Sequence, residues 1–118
     1  MRLMEDAVLL RVFLGEDDMF DGTPLYRTII EAAHREKLAG GTVLHAPMGF
    51  GVSRDMRTGL NPDAGARMPI VVEIIDRADR IDAFLPLLEI MIESGMVTME
   101  LVKARFFTAT PAPMSGTT

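Results

Sequence analysis

The sequence holds no cysteine, only two histidines, and no apolar run that approaches the roughly 18 to 20 residues needed to cross a bilayer. The first absence removes disulfides, thiolate nucleophiles, iron–sulfur clusters and thiolate zinc sites together. With His34 and His45 as the sole imidazoles, a histidine-rich metal site is disfavoured too. Neither end carries a charged stretch leading into a long apolar segment, so a soluble, cytoplasmic protein is expected. Basic charge is also in short supply. A net charge of −5 repels phosphate backbones at long range and argues against a nucleic-acid binder, while leaving room for local basic clusters that serve small anions.

What is present is the material of one globular domain: 118 residues, 48% apolar and 25% charged. Ala7 to Leu14, AVLLRVFL, alternates with period two and reads as a strand covered on both faces. Gly15 opens an acidic loop, GEDDMFDG. Thr23-Pro24 then predicts a helix start, with Thr as cap and Pro at the first position. Leu25, Ile29, Ala32 and Ala33 follow at helical spacing, and Gly40-Gly41 is expected to stop the helix after Leu38. Thr42 to Phe50 reads as a second strand whose later half Pro47 reduces to an edge, a bend or a bulge. From Gly51 to Met68 all periodicity disappears, which predicts a loop of nearly twenty residues. Loops of that length in a small domain are usually functional or mobile.

Pro69 to Asp76, PIVVEIID, predicts a third strand in a central position. Asp76 or Asp79 is placed to cap a second helix, in which Ile81, Phe84, Leu85, Leu88 and Ile92 form one stripe and Ser94-Gly95 the end. Val97 to Phe107 is the last strand. Its apolar phase flips at Leu101-Val102, which suggests a bulge or a strand leaving one packing surface for another. The order strand-helix-strand, strand-helix-strand matches an α+β, ferredoxin-like βαββαβ sandwich with two helices on one face of a four-stranded antiparallel sheet. The domain is expected to span 1–107, with 108–118 a flexible tail. Two helices leave one sheet face bare, yet the first and third strands look apolar on both sides. A homo-oligomer is therefore expected, and analogy of topology points to a sheet-lined trimer.

Several constellations are candidates for chemistry. GEDDMFDG offers carboxylates to a hard cation but lacks the spacing of a calcium loop, and acids before a helix are favoured by its dipole alone. His34, among Arg35, Glu36 and Lys37, reads as solvated. His45 faces a ligand cleft, an interface or a structural partner. Met48, Gly49, Phe50 and Gly51 form MGFG at the mouth of the long loop, where backbone N–H groups can approach an anion and Phe50 can stack on a ring. Lys103 and Arg105, two apart on a strand, point to one side and can hold a phosphate or a carboxylate. The ten methionines are scattered and read as core filler. No Ser/His/Asp arrangement, P-loop or carboxylate pair appears, so no catalytic residue and no cofactor are assigned and a non-enzymatic protein is expected.

Two stretches, RVFLGEDDMFDGTPLYRTIIEAAHREKLAGGTVLHAPMGFG and MPIVVEIIDRADRIDAFLPLLEIMIESGMVTMELV, carry a resemblance. Over roughly Arg11 to Val102 the chain is similar to the PII-like family catalogued as domain of unknown function 190, most specifically in GEDD, GTPLY, the Gly-Gly-x-x-V step, GFG and PIVVEIID. The resemblance implies a homotrimer built like PII signal-transduction proteins. In those proteins the loop between strands two and three, the T-loop, reaches the target, and small ligands, often adenine nucleotides, bind between subunits. It also implies a membrane-transport partner, since members of the family are often encoded beside a small fluoride-export channel. Gly49, Phe50 and Gly51 match the base of the T-loop, here about 52–68, and Gly95 matches a glycine-containing turn that helps hold phosphates. Lys103 and Arg105 resemble a C-terminal basic pair. This chain departs from PII in that its turn, SGMVT, has no lysine and the basic pair follows it sooner. The sole tyrosine is Tyr26, so the loop has no tyrosine to modify.

Three readings result. One is a trimeric regulatory protein that binds a small anionic metabolite, an adenine nucleotide among the candidates, through Met48 to Gly51, Gly95, Lys103 and Arg105. Another is a ligand-free adaptor docking through Arg54, Arg57 and Arg67 of the loop. The third is a divalent-metal protein using the GEDD cluster and His45.

Overall fold

The alternation of Val8, Leu10, Val12 and Leu14 with Leu9, Arg11 and Phe13 produces β1, Glu5–Gly15. In the computed structural model of the chain, the described residues are 4–52, 55–58 and 68–107, without the side chain of Arg57. After β1 come α1 (Leu25–Arg35), β2 (Gly40–His45), β3 (Pro69–Asp76), α2 (Ala78–Met91) and β4 (Met96–Ala104). The sheet order is β2-β3-β1-β4, every neighbouring pair antiparallel. This is the ferredoxin-like α+β sandwich, with β3 central as its run of Ile and Val required.

Register decides which side chains meet the helices. Val12 pairs with Val72, and Val72 with Val43, so the even-numbered residues of β1 and β3 share one face. On that face Leu10, Val12, Ile70, Val72 and Ile74 pack against Ile29, Ala32 and Ala33 of α1 and Ile81, Phe84 and Leu88 of α2. Each fully buried aliphatic or aromatic side chain there stabilises by about 1.5–3 kcal/mol, so the core sits under the helices. The Cβ of any residue at Gly41 would lie 2.6 Å from Ile30 Cδ1, and this close approach lets α1 settle on β2.

The opposite face is bare of helices. It carries Leu9, Phe13, Val71 and Ile75, each partly exposed, around one charged group: Arg11 donates to Glu73 at 2.9 Å and to Glu100 at 3.3 Å. The hydrogen bond to Glu73 is the largest influence holding the Arg11 guanidinium above its ordinary range. At the sheet edge, Val97, Met99 and Leu101 of β4 lie opposite Val12, Leu10 and Val8 on the helix side. They are nevertheless exposed, Leu101 to 83%, because α2 packs over β1 and β3.

Several local expectations are corrected. Thr23 makes no cap: Thr23-Pro24 forms a two-residue ladder with Met19-Phe20, closed by Asp21 and Gly22 at φ 50° and 82°. Positive φ at both central residues is the signature of a type I′ hairpin turn. Helix α1 is stopped by Lys37 at φ 62°, with Lys37 N donating to His34 O and Leu38 N to Ala33 O, a Schellman motif with lysine in the left-handed position. Gly40 and Gly41 belong to β2. Asp76 and Asp79 provide no side-chain cap for α2; Asp76 is instead buried at the end of β3. Strand β4 stops at Ala104 and pairs with β1 in unbroken register, so the phase flip at Leu101-Val102 is not a bulge but a change of exposed face at an edge. Among the described residues no helix is long and apolar enough to cross a membrane. The expected tail, 108–118, lies outside the described residues.

Candidate functional site

The topology brings the ends of β1 and β2 and the starts of β3 and β4 to one end of the sheet: Gly15 pairs with Pro69, His45 with Ile70, and Phe13 with Met96. Three connections therefore run from this end, the β1–α1 loop, the β2–β3 loop and the α2–β4 turn. Pro47 interrupts the second strand at a bend, after which Met48-Gly49 pairs with Arg57-Thr58. The later half of the strand expected over Thr42 to Phe50 is thus one side of a short hairpin, and its other side, Arg57-Thr58, lies within the loop expected from Gly51 to Met68.

Between this hairpin and the α2–β4 turn lies a cleft of about 500 Å³. Met48, Gly49, Phe50, Gly51 and Gly95 all line it, so two segments 44 or more residues apart in sequence meet at one site. Its floor is apolar, formed by Phe13, Leu14, Pro69, Ile70 and Val71. Volumes of roughly 300–1,000 Å³ with apolar walls and a few polar groups are typical of small-molecule sites. A Cβ at Gly49 would lie 3.3 Å from Pro69 Cγ, which shows how closely the hairpin base sits on β3. Backbone bonds fix the rim: Ala46 N donates to Pro69 O, Glu16 N to Met68 O, and Gly15 N to Asp18 Oδ2 at 2.8 Å. Phe50 presents a ring that is 54% exposed, and Met48, Val52 and Met56 of the same hairpin are similarly open to solvent.

The charged side chains among the described lining residues of the cleft are acidic. Asp18 and Asp55 line it, and among its described lining residues there is no lysine or arginine. Asp18 belongs to the acidic loop that the sequence offers to a cation, whereas Asp55, next to Arg54, is not among the residues the sequence singles out. Its position between two arginines was the available signal. The predicted basic pair lies elsewhere in the subunit. Lys103 is eight residues along β4 from Gly95, about 26 Å at the usual rise per residue. There it pairs with Asp6, and Arg105 follows the end of the strand, its guanidinium 5.0 Å from the centre of the Phe107 ring. The structure therefore joins Met48 to Gly51 with Gly95 and separates them from Lys103 and Arg105 within one chain. Of the loop arginines, Arg57 pairs through its backbone with Gly49, while Arg54 and Arg67 lie outside the described residues.

His45 closes the rim beside the cleft. Its Nε2 is 3.3 Å from Glu16 Oε2, and its ring meets Tyr26 edge-on at 5.9 Å. His34 is exposed on α1. Among the described residues no group of three or more His, Cys, Asp or Glu side chains is gathered to hold a metal ion.

Comparison with known proteins places this geometry. The chain belongs to the DUF190 family, described as "Uncharacterized ACR", whose profile matches residues 7–104. A UPF0166 protein of Aquifex aeolicus is 36% identical over 95 residues, covering 80% of this chain and 90% of that protein. A UPF0166 protein of Methanocaldococcus jannaschii is 28% identical over 95 residues, covering 80% and 87%. Among solved structures, CPII of Thiomonas intermedia K12, a nitrogen regulatory PII-like protein bound to ADP, AMP and bicarbonate, superposes with a TM-score of 0.59 at 15% identity, covering 86% of this chain and 91% of that one. CPII bound to ADP and bicarbonate gives 0.57 at 16% identity with the same coverage. The likeness to these structures is one of fold.

Proposed function

We propose that this DUF190 protein is a PII-like regulator that binds a small anionic metabolite, with adenine nucleotides the first candidates, in the cleft under the β2–β3 hairpin. The observation that carries the reading is the convergence of Met48 to Gly51 with Gly95 on one cleft, at the root of the longest loop. The similarly folded CPII is described with ADP, AMP and bicarbonate, which supports the choice of ligands. In the proposal the bare sheet face is covered by two further copies, giving a homotrimer. Lys103 and Arg105 of a neighbouring copy then supply the positive charge that the cleft lacks among its own described residues. Ligand binding orders the 52–68 loop and shifts the population toward the conformer that a partner recognises, a membrane transporter or channel in the working hypothesis.

Calorimetric titration of the assembled protein with ATP, ADP, AMP and bicarbonate tests the proposal. Heat of binding that is lost on Lys103→Ala in the assembled protein is the expected result. Absence of heat with every ligand rules the sensor out.

A second reading has its own observation. Met48, Phe50, Val52 and Met56 are all more than half exposed on one hairpin, a surface suited to a protein partner without any ligand. Under that adaptor reading Arg54→Ala/Arg57→Ala abolishes capture of the partner and Lys103→Ala leaves it unchanged.

A further inference from the structure

Of the eight methionines among the described residues, six are exposed: Met4, Met19, Met48, Met56, Met96 and Met99, each to 44% or more. Met91 is buried and Met68 half-buried, so the expectation of core filler holds only for a minority. Methionine is among the residues most often found inside, and so many at the surface call for a cause. They are also unevenly spread. Met19 lies in the β1–α1 loop, Met48 and Met56 in the β2–β3 hairpin, and Met96 opens β4, all at the end of the sheet that holds the cleft. Met48 pairs with Thr58, two residues beyond Met56, so by the alternation of a strand Met48 and Met56 fall on one face of the hairpin. With no cysteine in the chain, thioethers are its only oxidisable sulfur.

We propose that Met48 and Met56 are a site of reversible oxidation by two-electron oxidants of the hydroperoxide class, and that their sulfoxides release the hairpin from the end of the sheet. The thioether sulfur attacks the terminal peroxide oxygen, and an S–O bond forms as the O–O bond breaks. Sulfur is oxidised by two electrons; the proton of the attacked oxygen passes to the leaving one, which departs as water or an alcohol. Sulfoxide reductases, one for each epimer, reverse the step with a dithiol, which becomes a disulfide as the oxygen leaves as water. The hairpin is built to respond. Its ladder has two residues a side, too short to hold by itself. It rests on the sheet through the bond from Ala46 N to Pro69 O, the close approach of Gly49 to Pro69, and Met48 at a cleft floored by Phe13, Leu14, Ile70 and Val71. A sulfoxide turns a flexible apolar side chain into a polar one, so Met48 exchanges this floor for water. The device goes beyond the metabolite reading and needs no ligand, so the two stand or fall separately.

The test uses the full chain in its native assembly, without ligand. Hydrogen peroxide is added, oxidation of each methionine is followed by peptide mass spectrometry, and amide hydrogen exchange is measured across residues 46–52. Met48 and Met56 are expected to oxidise about tenfold or more faster than the buried Met91. Protection across 46–52 is expected to fall about five- to thirtyfold, the effect of weakening a structure by one apolar contact. Sulfoxide reductases with dithiothreitol should restore it. Met48→Leu/Met56→Leu, which keeps the apolar volume, should abolish the response, whereas Met19→Leu/Met99→Leu should retain it. Oxidation at both residues with exchange unchanged overturns the proposal. So does a response that survives Met48→Leu/Met56→Leu or that the reductases fail to reverse, and so does oxidation of Met48 and Met56 as slow as that of Met91.

Discussion

Replacing Asp76 by alanine tests how the two halves of the fold are joined. Asp76 ends β3 with 6% of its surface exposed. Its Oδ2 accepts from Ala39 N at 3.0 Å and its Oδ1 from Arg77 N at 2.7 Å. Arg80 lies 3.7 Å from the same carboxylate and donates to the carbonyls of Glu36 and Lys37. One carboxylate thus ties the α1–β2 turn to the start of α2. A hydrogen bond to a charged group contributes about 1.5–3 kcal/mol. Ala39 and Arg77 are exposed residues whose N–H groups can turn to water, so the lower end applies to each, and the total loss is about 3 kcal/mol. For a chain of this length that corresponds to a fall in Tm of about 12 °C. Asp76→Asn keeps the volume and one acceptor and should lose about half as much. Thermal and urea denaturation at fixed protein concentration give both numbers. A fall below about 3 °C for the alanine variant would show that the carboxylate is not the joint described here.

Lys37→Gly should stabilise the protein. It removes about 1–2 kcal/mol of left-handed strain and restores about 0.5–1 kcal/mol of chain entropy to the unfolded state, for a rise of about 2–4 °C; a fall refutes the cap. Gly95→Ala places a methyl 3.4 Å from Ile92 Cγ2 and Phe13 O, ordinary contact distances, so Tm should move by no more than about 2 °C while nucleotide affinity drops as the cleft narrows. An unchanged affinity would remove Gly95 from the site. Leu44→Glu, on the bare sheet face and already 46% exposed, should leave the subunit folded but, if the proposed trimer forms through that face, lower the mass measured by light scattering from that of a trimer to that of a monomer. Retention of the full mass would mean that this part of the face is not the interface.

The parts of the fold that were legible in the sequence are those where packing imposes a period. Pro69 to Asp76 was bounded correctly because a central strand needs β-branched residues on both faces. The stripe of α2 was legible because Ile81, Phe84 and Leu88 must all reach the sheet, and Pro86 sits within the helix on an exposed position between them. What escaped was decided by single residues. Asp21-Gly22 is a hairpin signal, but its strands are two residues long and sit inside an acidic run that reads as loop. Lys37 stops α1 in a conformation that lysine seldom adopts, so the next glycines drew the boundary instead, although they serve the close packing of Ile30. The phase flip in β4 was visible, but its cause, an edge strand beyond the reach of α2, depends on where the helix lies.

The site divided in the same way. MGFG and Gly95 are grouped at the sequence level only through the family resemblance, and it is the antiparallel topology that puts the end of β2 and the start of β4 at the same end of the sheet, with β3 and β1 between them. Lys103 and Arg105 were drawn toward the same site by their chemistry, whereas the length of β4 carries them to the other end of the sheet. Family resemblance linked these segments through subunits, a relation that no periodicity within one chain contains. Asp55 is the lining residue least visible in the sequence, because an acid beside arginines looks solvated, whereas Asp18 is visible only as one member of the acidic loop.

The most direct test of the central claim is a crystal structure of the protein grown with ADP. The account predicts a trimer with the nucleotide in the cleft between the Met48 to Gly51 hairpin and Gly95, its phosphates toward Lys103 and Arg105 of a neighbouring subunit. An empty cleft with ADP bound at another surface, or ADP absent from a crystal of the intact trimer at saturating concentration, would contradict it.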